Sequence, residues 1–322
     1  MAKGVAGTVV VLGTGGTIAG KAGDAADPIG YRAGQIGVEA LLAAVTPQAS
    51  LATEVRWQTE QVAQVDSKDM DFAVWRALAA RCAYWLAQDE VRAVVVTHGT
   101  DTLEETAYFL EALLAPDKPL VLTCAMRPAT ALMADGPQNL LDAVTVALDA
   151  HAGGVLVVAA GAVHAARAVR KRHPYRLDAM DSGDAGALAV VEAGQTRWFG
   201  KNTRYPSVKW SPDAIEKILS REALPRVEIV LSHALADARL VDGLVQDGVR
   251  GLVVAGTGNG TVHGALQAAL ERALAQGVRV VRASRCELGQ VLPLPGDPFE
   301  PSDGLSPVKA RIRLMLELAL ND

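Results

Sequence analysis

The sequence predicts an α/β fold: a larger N-terminal domain with a parallel sheet and helices on both faces, then a smaller C-terminal α/β domain. Three observations predict it. Apolar runs of strand length recur at 8–12, 91–96, 119–124 and 155–159, each bounded by polar or glycine-rich turns. Segments of helical period lie between them, and strands that alternate with helices pair in parallel. The pattern breaks after Gly194 and resumes with fewer units of the same kind in the last third of the chain. We therefore place the N-terminal domain at 1–196, a connection at 197–212 and the C-terminal domain at 213–322. With 322 residues, half of them hydrophobic, the chain is long enough for two cores.

The first apolar run, 8–12, ends in Gly13-Thr14-Gly15-Gly16-Thr17-Ile18-Ala19-Gly20. Glycines at a strand end let the backbone adopt positive φ or approach a ligand closely. Residues 20–31 are small, polar and aperiodic, a loop whose length inside a domain marks function and often a lid; Tyr31 is its only aromatic residue. Residues 37–45 read as a short helix, and 51–58 and 59–65 as alternating strands. Ser67 is placed to N-cap a helix over 69–87, with Val74, Leu78, Cys82 and Trp85 on one face. Strand 91–96 leads through Thr97-His98-Gly99-Thr100-Asp101-Thr102 into a helix over 102–114, where Thr102 and Glu105 fit a capping box. After strand 119–124, Asp135-Gly136-Pro137 makes a turn with proline opening the next helix. Between Gly194 and Ser211, Trp198, Tyr205, Pro206 and Trp210 follow no helical period, which places the connection there. The C-terminal domain then has strands at 227–231, 251–255 and 278–282, a helix near 262–276 and a closing helix over 307–320.

Charge and composition exclude several classes. The chain has 31 Lys plus Arg against 36 Asp plus Glu, a net charge of -5, so no nucleic-acid or acidic membrane partner is expected. No apolar stretch reaches transmembrane length. Residues 1–4 run directly into the first strand and leave no room for a secretory signal, so cytoplasmic residence is expected. Cys82, Cys124 and Cys286 are far apart and match no zinc spacing or disulfide framework. Cys82, in the stripe with Leu78 and Trp85, reads as a buried core thiol.

Two strand ends carry the chemistry. At 97–102, three hydroxyls, an imidazole and a carboxylate crowd one strand-to-helix turn, where open α/β sheets bind ligands. Alone, that segment reads as a capping box and a carboxylate at a helix N-terminus. The glycine turn at 13–20 presents a further threonine, and the combination changes the reading. TGGTIAG at 14–20 and THGTDT at 97–102 are joined by GQIGV at 34–38, SKDM at 67–70, AMRP at 125–128, ADGP at 134–137 and GTGNG at 256–260. Over nearly its whole length the sequence resembles the bacterial-type L-asparaginases, the asparaginase/glutaminase family.

The resemblance implies hydrolysis of L-asparagine to L-aspartate and ammonia. It implies no metal or organic cofactor, a small amino-acid substrate, and a homotetramer built from intimate dimers. A threonine hydroxyl attacks an amide poorly at neutral pH unless a base or relay takes its proton. The resemblance assigns Thr17 as the first-acting nucleophile, tuned by Tyr31, and Thr100 as the group that activates water or relays a proton, backed by Lys171 and Asp101. Lys171 lies in Arg170-Lys171-Arg172-His173, which alone reads as a solvated charge run; the preceding Arg167-Ala168-Val169 aligns it with the family. A desolvated lysine would supply a neutral amine beside Thr100. Asp101 would also pair the substrate α-ammonium, Ser67 and Lys68 would bind the α-carboxylate, and the backbone at Ala125 would position the side-chain amide. Backbone N–H groups near Gly16 would meet the oxyanion. His98 reads as a packed, hydrogen-bonded histidine. The turn at 256–260 lacks the Lys-Ser/Thr of a P-loop and reads as structural, near a subunit contact. Secreted family members carry a disulfide in the Cys82 region, but its second position aligns with Ala115, so no bond is expected.

Two departures stand out. Lys68 occupies a position where glutamine or glutamate is common, and a flexible point charge there would strengthen the hold on a carboxylate; the alternative is a surface pair with Asp69. Residues 287–305 are short and proline-rich for the family, leaving Glu287, Asp297 and Glu300 as candidates for the acidic residue that a neighbouring subunit lends. Rival readings are a glutamine-preferring enzyme, an amidotransferase subunit, a Rossmann module and a silent amino-acid sensor. The amidotransferase reading wants a docking domain, and the Rossmann fingerprint wants glycine at Ile18. Intact Thr17, Thr100, Asp101 and Lys171 disfavour the sensor.

Overall fold

Four consecutive apolar residues, Val9, Val10, Val11 and Leu12, are fully buried in β1 (Thr8–Gly15), the strand from which the larger sheet is built. A strand covered on both faces reads as such an unbroken run. The computed structural model describes residues 7–24, 30–45, 55–200 and 208–321. It divides into two units, Met1–Trp210 and Ser211–Asp322. The middle of the 20–31 segment, the start of the 51–58 segment, and Tyr205 and Pro206 lie outside the described residues.

In the first unit β1 is followed by β2 (Lys21–Ala22), β3 (Tyr31–Arg32), α1 (Val38–Val45), β4 (Arg56–Val65), α2 (Phe72–Leu86), β5 (Val91–Thr97), α3 (Leu103–Leu114) and β6 (Leu120–Thr123). Then come α4 (Gly136–Leu148), β7 (Val155–Ala159), β8 (Ala162–Ala165), β9 (Arg170–Lys171), β10 (Met180–Asp181), β11 (Ala189–Glu192) and β12 (Gln195–Trp198). The eight-stranded sheet has the order β12-β11-β8-β7-β6-β5-β1-β4. Strands β4, β1, β5, β6 and β7 are parallel, as the alternating pattern predicts. Val9, Val11, Ala93, Val95, Val121, Leu156 and Val158 pack against Val38 and Leu42 of α1 and Leu140, Ala143 and Val144 of α4. Their strand neighbours point to the opposite face, where α2 packs on β4 and β5 and α3 on β7.

The rest of the sheet corrects the all-parallel expectation. β8, β11 and β12 run antiparallel. Two of these joints are two-residue turns, Ala160-Gly161 and Ala193-Gly194, with φ of 49° and 74° in both pairs. Positive φ at both central residues is the hairpin-forming turn, but its usual signal is Asn-Gly or Asp-Gly, and alanine hides it. The connection read at 197–212 overlaps β12, whose Trp198 packs on the core.

Three local readings also change. Residues 56–65 form one strand, not two. Ser67 does not cap α2; Asp71 does, its carboxylate accepting from Val74 N at 2.9 Å. Thr102 precedes α3 without a side-chain cap bond, because its hydroxyl donates to Ser67 O at 2.7 Å. All three cysteines are free, Cys82 and Cys124 being buried and Cys286 exposed.

The second unit contains α5 (Pro212–Leu219), β13 (Val227–Leu231), α6 (Arg239–Gln246), β14 (Gly251–Gly256), α7 (Gly264–Ala275), β15 (Arg279–Ser284), β16 (Glu300–Pro301) and α8 (Pro307–Asn321). Its four strands lie in sequence order and pair in parallel. Val241, Leu266, Leu270 and Ala273 of α6 and α7 cover one face of this sheet, and α8 packs on β13, β14 and β15. The eight-residue helices α5 and α6 are absent from the sequence reading: each offers a single buried apolar residue, Ile218 and Val241, too few to show a period.

Candidate active site

Parallel pairing puts four strand ends in a row. Gly15 of β1 stands opposite Val65 of β4, Gly13 opposite Thr97 of β5, and Thr97 opposite Thr123 of β6. The turns that follow therefore carry Ser67 and Lys68, Gly16 and Thr17, Thr100 and Asp101, and Ala125 at one edge of the sheet. Glycine makes the inner two turns touch. Gly16 has φ of 77°, and a Cβ there would fall 2.2 Å from Gly99 Cα. A Cβ on Gly99 would fall 2.4 Å from Ser67 Oγ, so no side chain fits at either position. The N–H of Gly16 is itself donated to Val65 O at 2.9 Å, so Gly16 serves the close approach of the two turns.

Two hydroxyls are paired with proton-handling groups. Thr17, buried in a single 3₁₀ turn, has its Oγ1 2.7 Å from the Tyr31 hydroxyl. Lys171 Nζ donates to Thr100 Oγ1 at 2.8 Å and to Asp101 Oδ1 at 2.5 Å. The lysine leaves β9 mostly enclosed, whereas Asp101 is half open to solvent. Asp101, Lys171, Arg172, His173, Pro174 and Tyr175 line an open cleft of about 460 Å³. The charge run at 170–173 thus contains one residue turned to the site, which its sequence could not single out.

Ser67 is drawn into the same constellation. Its Oγ accepts from Asp101 N at 3.2 Å and its carbonyl from the Thr102 hydroxyl, so the β4 and β5 turns hold each other. Lys68 is not turned into this group in the structure: its exposed ammonium pairs with Asp69 and lies 3.8 Å from Asp66 Oδ2. The hydrogen bond to Asp69 moves its pKa up. The Ala125 turn is held from beneath by two residues the sequence reading did not name as site residues. Asp135 accepts the N–H groups of Met126 and Arg127 at 2.9 Å each. Asn139 donates to Cys124 O at 2.9 Å and accepts from Ala160 N at 3.0 Å. The ADGP motif was the only signal for Asp135 and reads equally well as a plain turn; Asn139, two residues beyond it, had none.

Two buried titratable groups nearby, Cys124 and His98, are inert at neutral pH. Burial pushes the Cys124 thiol up to about 12, so no thiolate is available there. His98 is fully buried and its Nδ1 lies 2.7 Å from Gly99 O. Desolvation pushes its pKa down to about 4, which leaves a neutral imidazole that fastens the turn. Among the described residues no group of three or more His, Cys, Asp or Glu could hold a metal ion. No helix among them is long and apolar enough to cross a membrane.

Comparison with known proteins supplies the family. The N-terminal asparaginase family model matches residues 8–204, and the glutaminase/asparaginase C-terminal domain model matches 226–322. The chain belongs to the asparaginase family. This asparaginase-family chain is 38% identical over 313 residues to L-asparaginase 2 of Bacillus subtilis (strain 168), spanning 96% of this chain and 81% of that protein. It is 37% identical over 318 residues to a glutaminase-asparaginase of Pseudomonas fluorescens biotype A, spanning 96% and 86%. The crystal structure of a probable cytoplasmic L-asparaginase from Campylobacter jejuni superposes with a TM-score of 0.88 at 36% identity, over 97% of this chain and 95% of that one. The family's two-domain architecture is thus the one described above.

Proposed function

We propose that this chain hydrolyses L-asparagine to L-aspartate and ammonia, with Thr17 as nucleophile. The supporting observation is a pair of threonine hydroxyls on touching turns, one 2.7 Å from a phenol and the other 2.8 Å from an ammonium. In this reading Thr17 Oγ1 attacks the side-chain amide carbon and its proton leaves towards Tyr31. The C–N bond breaks as the nitrogen takes a proton, ammonia departs, and an ester on Thr17 remains. Water, oriented at Thr100, then adds to the ester, and its cleavage returns the proton to Thr17. Asp101 takes the substrate α-ammonium. That displaces Lys171 from its carboxylate partner and leaves it to exchange a proton with Thr100. Ser67 and Lys68 bind the α-carboxylate, Lys68 by leaving Asp69, and the Ala125 backbone positions the amide.

Assembly as a homotetramer of intimate dimers belongs to the same proposal and rests on the family resemblance. Cytoplasmic residence belongs to it too, supported by the Campylobacter jejuni relative. Ammonia release from asparagine, with glutamine and a nucleotide as comparison substrates, separates the enzyme from its rivals. Thr17→Ala is expected to lower kcat by about a thousandfold or more with the melting temperature unchanged. Near-parental turnover in Thr17→Ala would overturn the mechanism.

A further inference from the structure

The segment between the AMRP and ADGP motifs, residues 129–133, has no part in the site as built above, yet it is tied to it. Thr130 Oγ1 accepts from Ala22 N at 2.8 Å, and Ala129 N donates to Gly20 O at 3.0 Å. Both bonds reach the segment 20–22, whose strand β2 pairs with β3, the strand that carries Tyr31. Ala22 is the residue registered opposite Tyr31 in the β2–β3 pair. Gly20 is the surface on which the tyrosine ring lies, since a Cβ there would fall 2.9 Å from Tyr31 Cδ2.

We propose that Thr130 is a positioning residue that acts on the reaction through Tyr31, by holding β2 in the register that sets the phenol against Thr17. A ribbon of two residues per strand cannot hold itself in water, so its outer edge needs a rigid support. The 127–134 segment is one. Ala131 N donates to Pro128 O at 2.9 Å, Ala134 N to Ala131 O at 3.2 Å, and the Arg127 guanidinium to Met133 O at 2.9 Å. Asp135 fixes its base through the N–H groups of Met126 and Arg127. The same carboxylate therefore frames the Ala125 turn and the support for Tyr31, which couples the amide-positioning backbone to the phenol. A second clamp exists downstream, where Gly34 N donates to Gly16 O and Gln35 N and Ile36 N to Ala19 O. The downstream clamp fixes the chain after Tyr31; Thr130 fixes the strand beside it.

The proposal rests on the reading of Tyr31 as a group that acts on Thr17, and the test separates the two. Thr130→Val keeps the shape of the side chain and removes the acceptor for Ala22 N–H. Loss of one such partner is expected to lower kcat about tenfold while KM stays within about twofold. Thr130→Ser, which restores the acceptor, is expected to recover the parental kcat, and Thr130→Ala to match the valine variant. In a Tyr31→Phe background, Thr130→Val is expected to cost nothing further, because its route to the chemistry is already gone. If Thr130→Val keeps parental kcat while Tyr31→Phe loses it, the positioning role is wrong and the site reading stands. Losses that add in the double variant, or a serine variant as slow as the valine one, overturn it equally. Parental kcat in Tyr31→Phe removes both.

Discussion

Each of the two larger sheets ends a central parallel strand in a turn rich in glycine and threonine, and the two turns use their polar atoms differently. After β1, Thr17 points its hydroxyl at Tyr31, a residue 14 positions away, and the neighbouring Thr100 meets Lys171, 71 positions away. After β14, Thr257 and Thr261 bond each other through their backbones at 2.9 and 2.8 Å and through their hydroxyls at 2.8 Å. The Asn259 amide accepts from Leu292 N and donates to Leu292 O, and the buried Arg282 guanidinium donates to Gly260 O at 2.5 Å while pairing with Asp297. The turns at Thr17 and Thr100 direct their hydroxyls at a phenol and an ammonium; the turn at Thr257 closes on itself. Composition alone does not separate them. The partners do.

Substitutions at matched positions sharpen the contrast. Thr100→Val is expected to lower turnover by two to four orders of magnitude, the usual range for losing a proton-transfer group, while Thr257→Val should change kcat by about twofold or less. Ammonia-release kinetics on the two variants decide it, and equal losses would erase the distinction. Next in size is the pair Gly16→Ala and Gly258→Ala. At Gly16 the new Cβ would sit 2.2 Å from Gly99 Cα, against nothing within 4 Å at Gly258, where φ is 49°. We expect Gly16→Ala to cost more than about 4 kcal/mol, the mark of a severe disruption. Gly258→Ala should cost about 1–2 kcal/mol, from left-handed strain alone. Denaturant midpoints measure both, and a tolerated Gly16→Ala would show that the two site turns need not touch.

The smallest effect concerns His98, which fastens the first turn. Its folded pKa of about 4 lies below the ordinary 6.5 because burial disfavours the charged ring. Between those values the unfolded chain binds more protons than the folded one, so stability falls as pH drops from about 6.5 to 4. The whole contribution is at most roughly 3 kcal/mol. His98→Asn, whose amide can still donate to Gly99 O, is expected to flatten that acid limb in melting temperatures taken from pH 7 to 4. An unchanged slope would place the titration elsewhere.

The buried strands other than β1 are legible to within two residues, because a strand covered on both faces leaves no room for polar alternation; β1 runs three residues beyond its read end, to Gly15. The strand at 155–159, buried at every position, is read at its observed bounds for this reason. Readings from local rules failed where a distant partner competed. The capping box at Thr102 is written correctly for a helix start, but Ser67 O, 35 residues away, takes its hydroxyl. Ser67 in turn gives up its cap because Asp101 N donates to it. The Ala-Gly hairpins went unread because their positive φ is imposed by pairing on both sides and not preferred by alanine itself.

The sequence by itself determined the α/β class, the family, and the fact that two strand ends carry threonines flanked by glycine. Those are properties of local composition and spacing, which the chain carries before it folds. The resemblance also names Tyr31 and Lys171 as partners of those threonines; only the tertiary structure decided the contacts that these side chains make. It sets the Tyr31 hydroxyl 2.7 Å from Thr17 Oγ1 and the Lys171 ammonium 2.8 Å from Thr100 Oγ1, turns the Lys68 ammonium to Asp69, and places the Asp135 carboxylate under the N–H groups of Met126 and Arg127. A hydrogen bond or ion pair depends on where two atoms meet across elements, and that separation in space is written in no stretch of the chain alone.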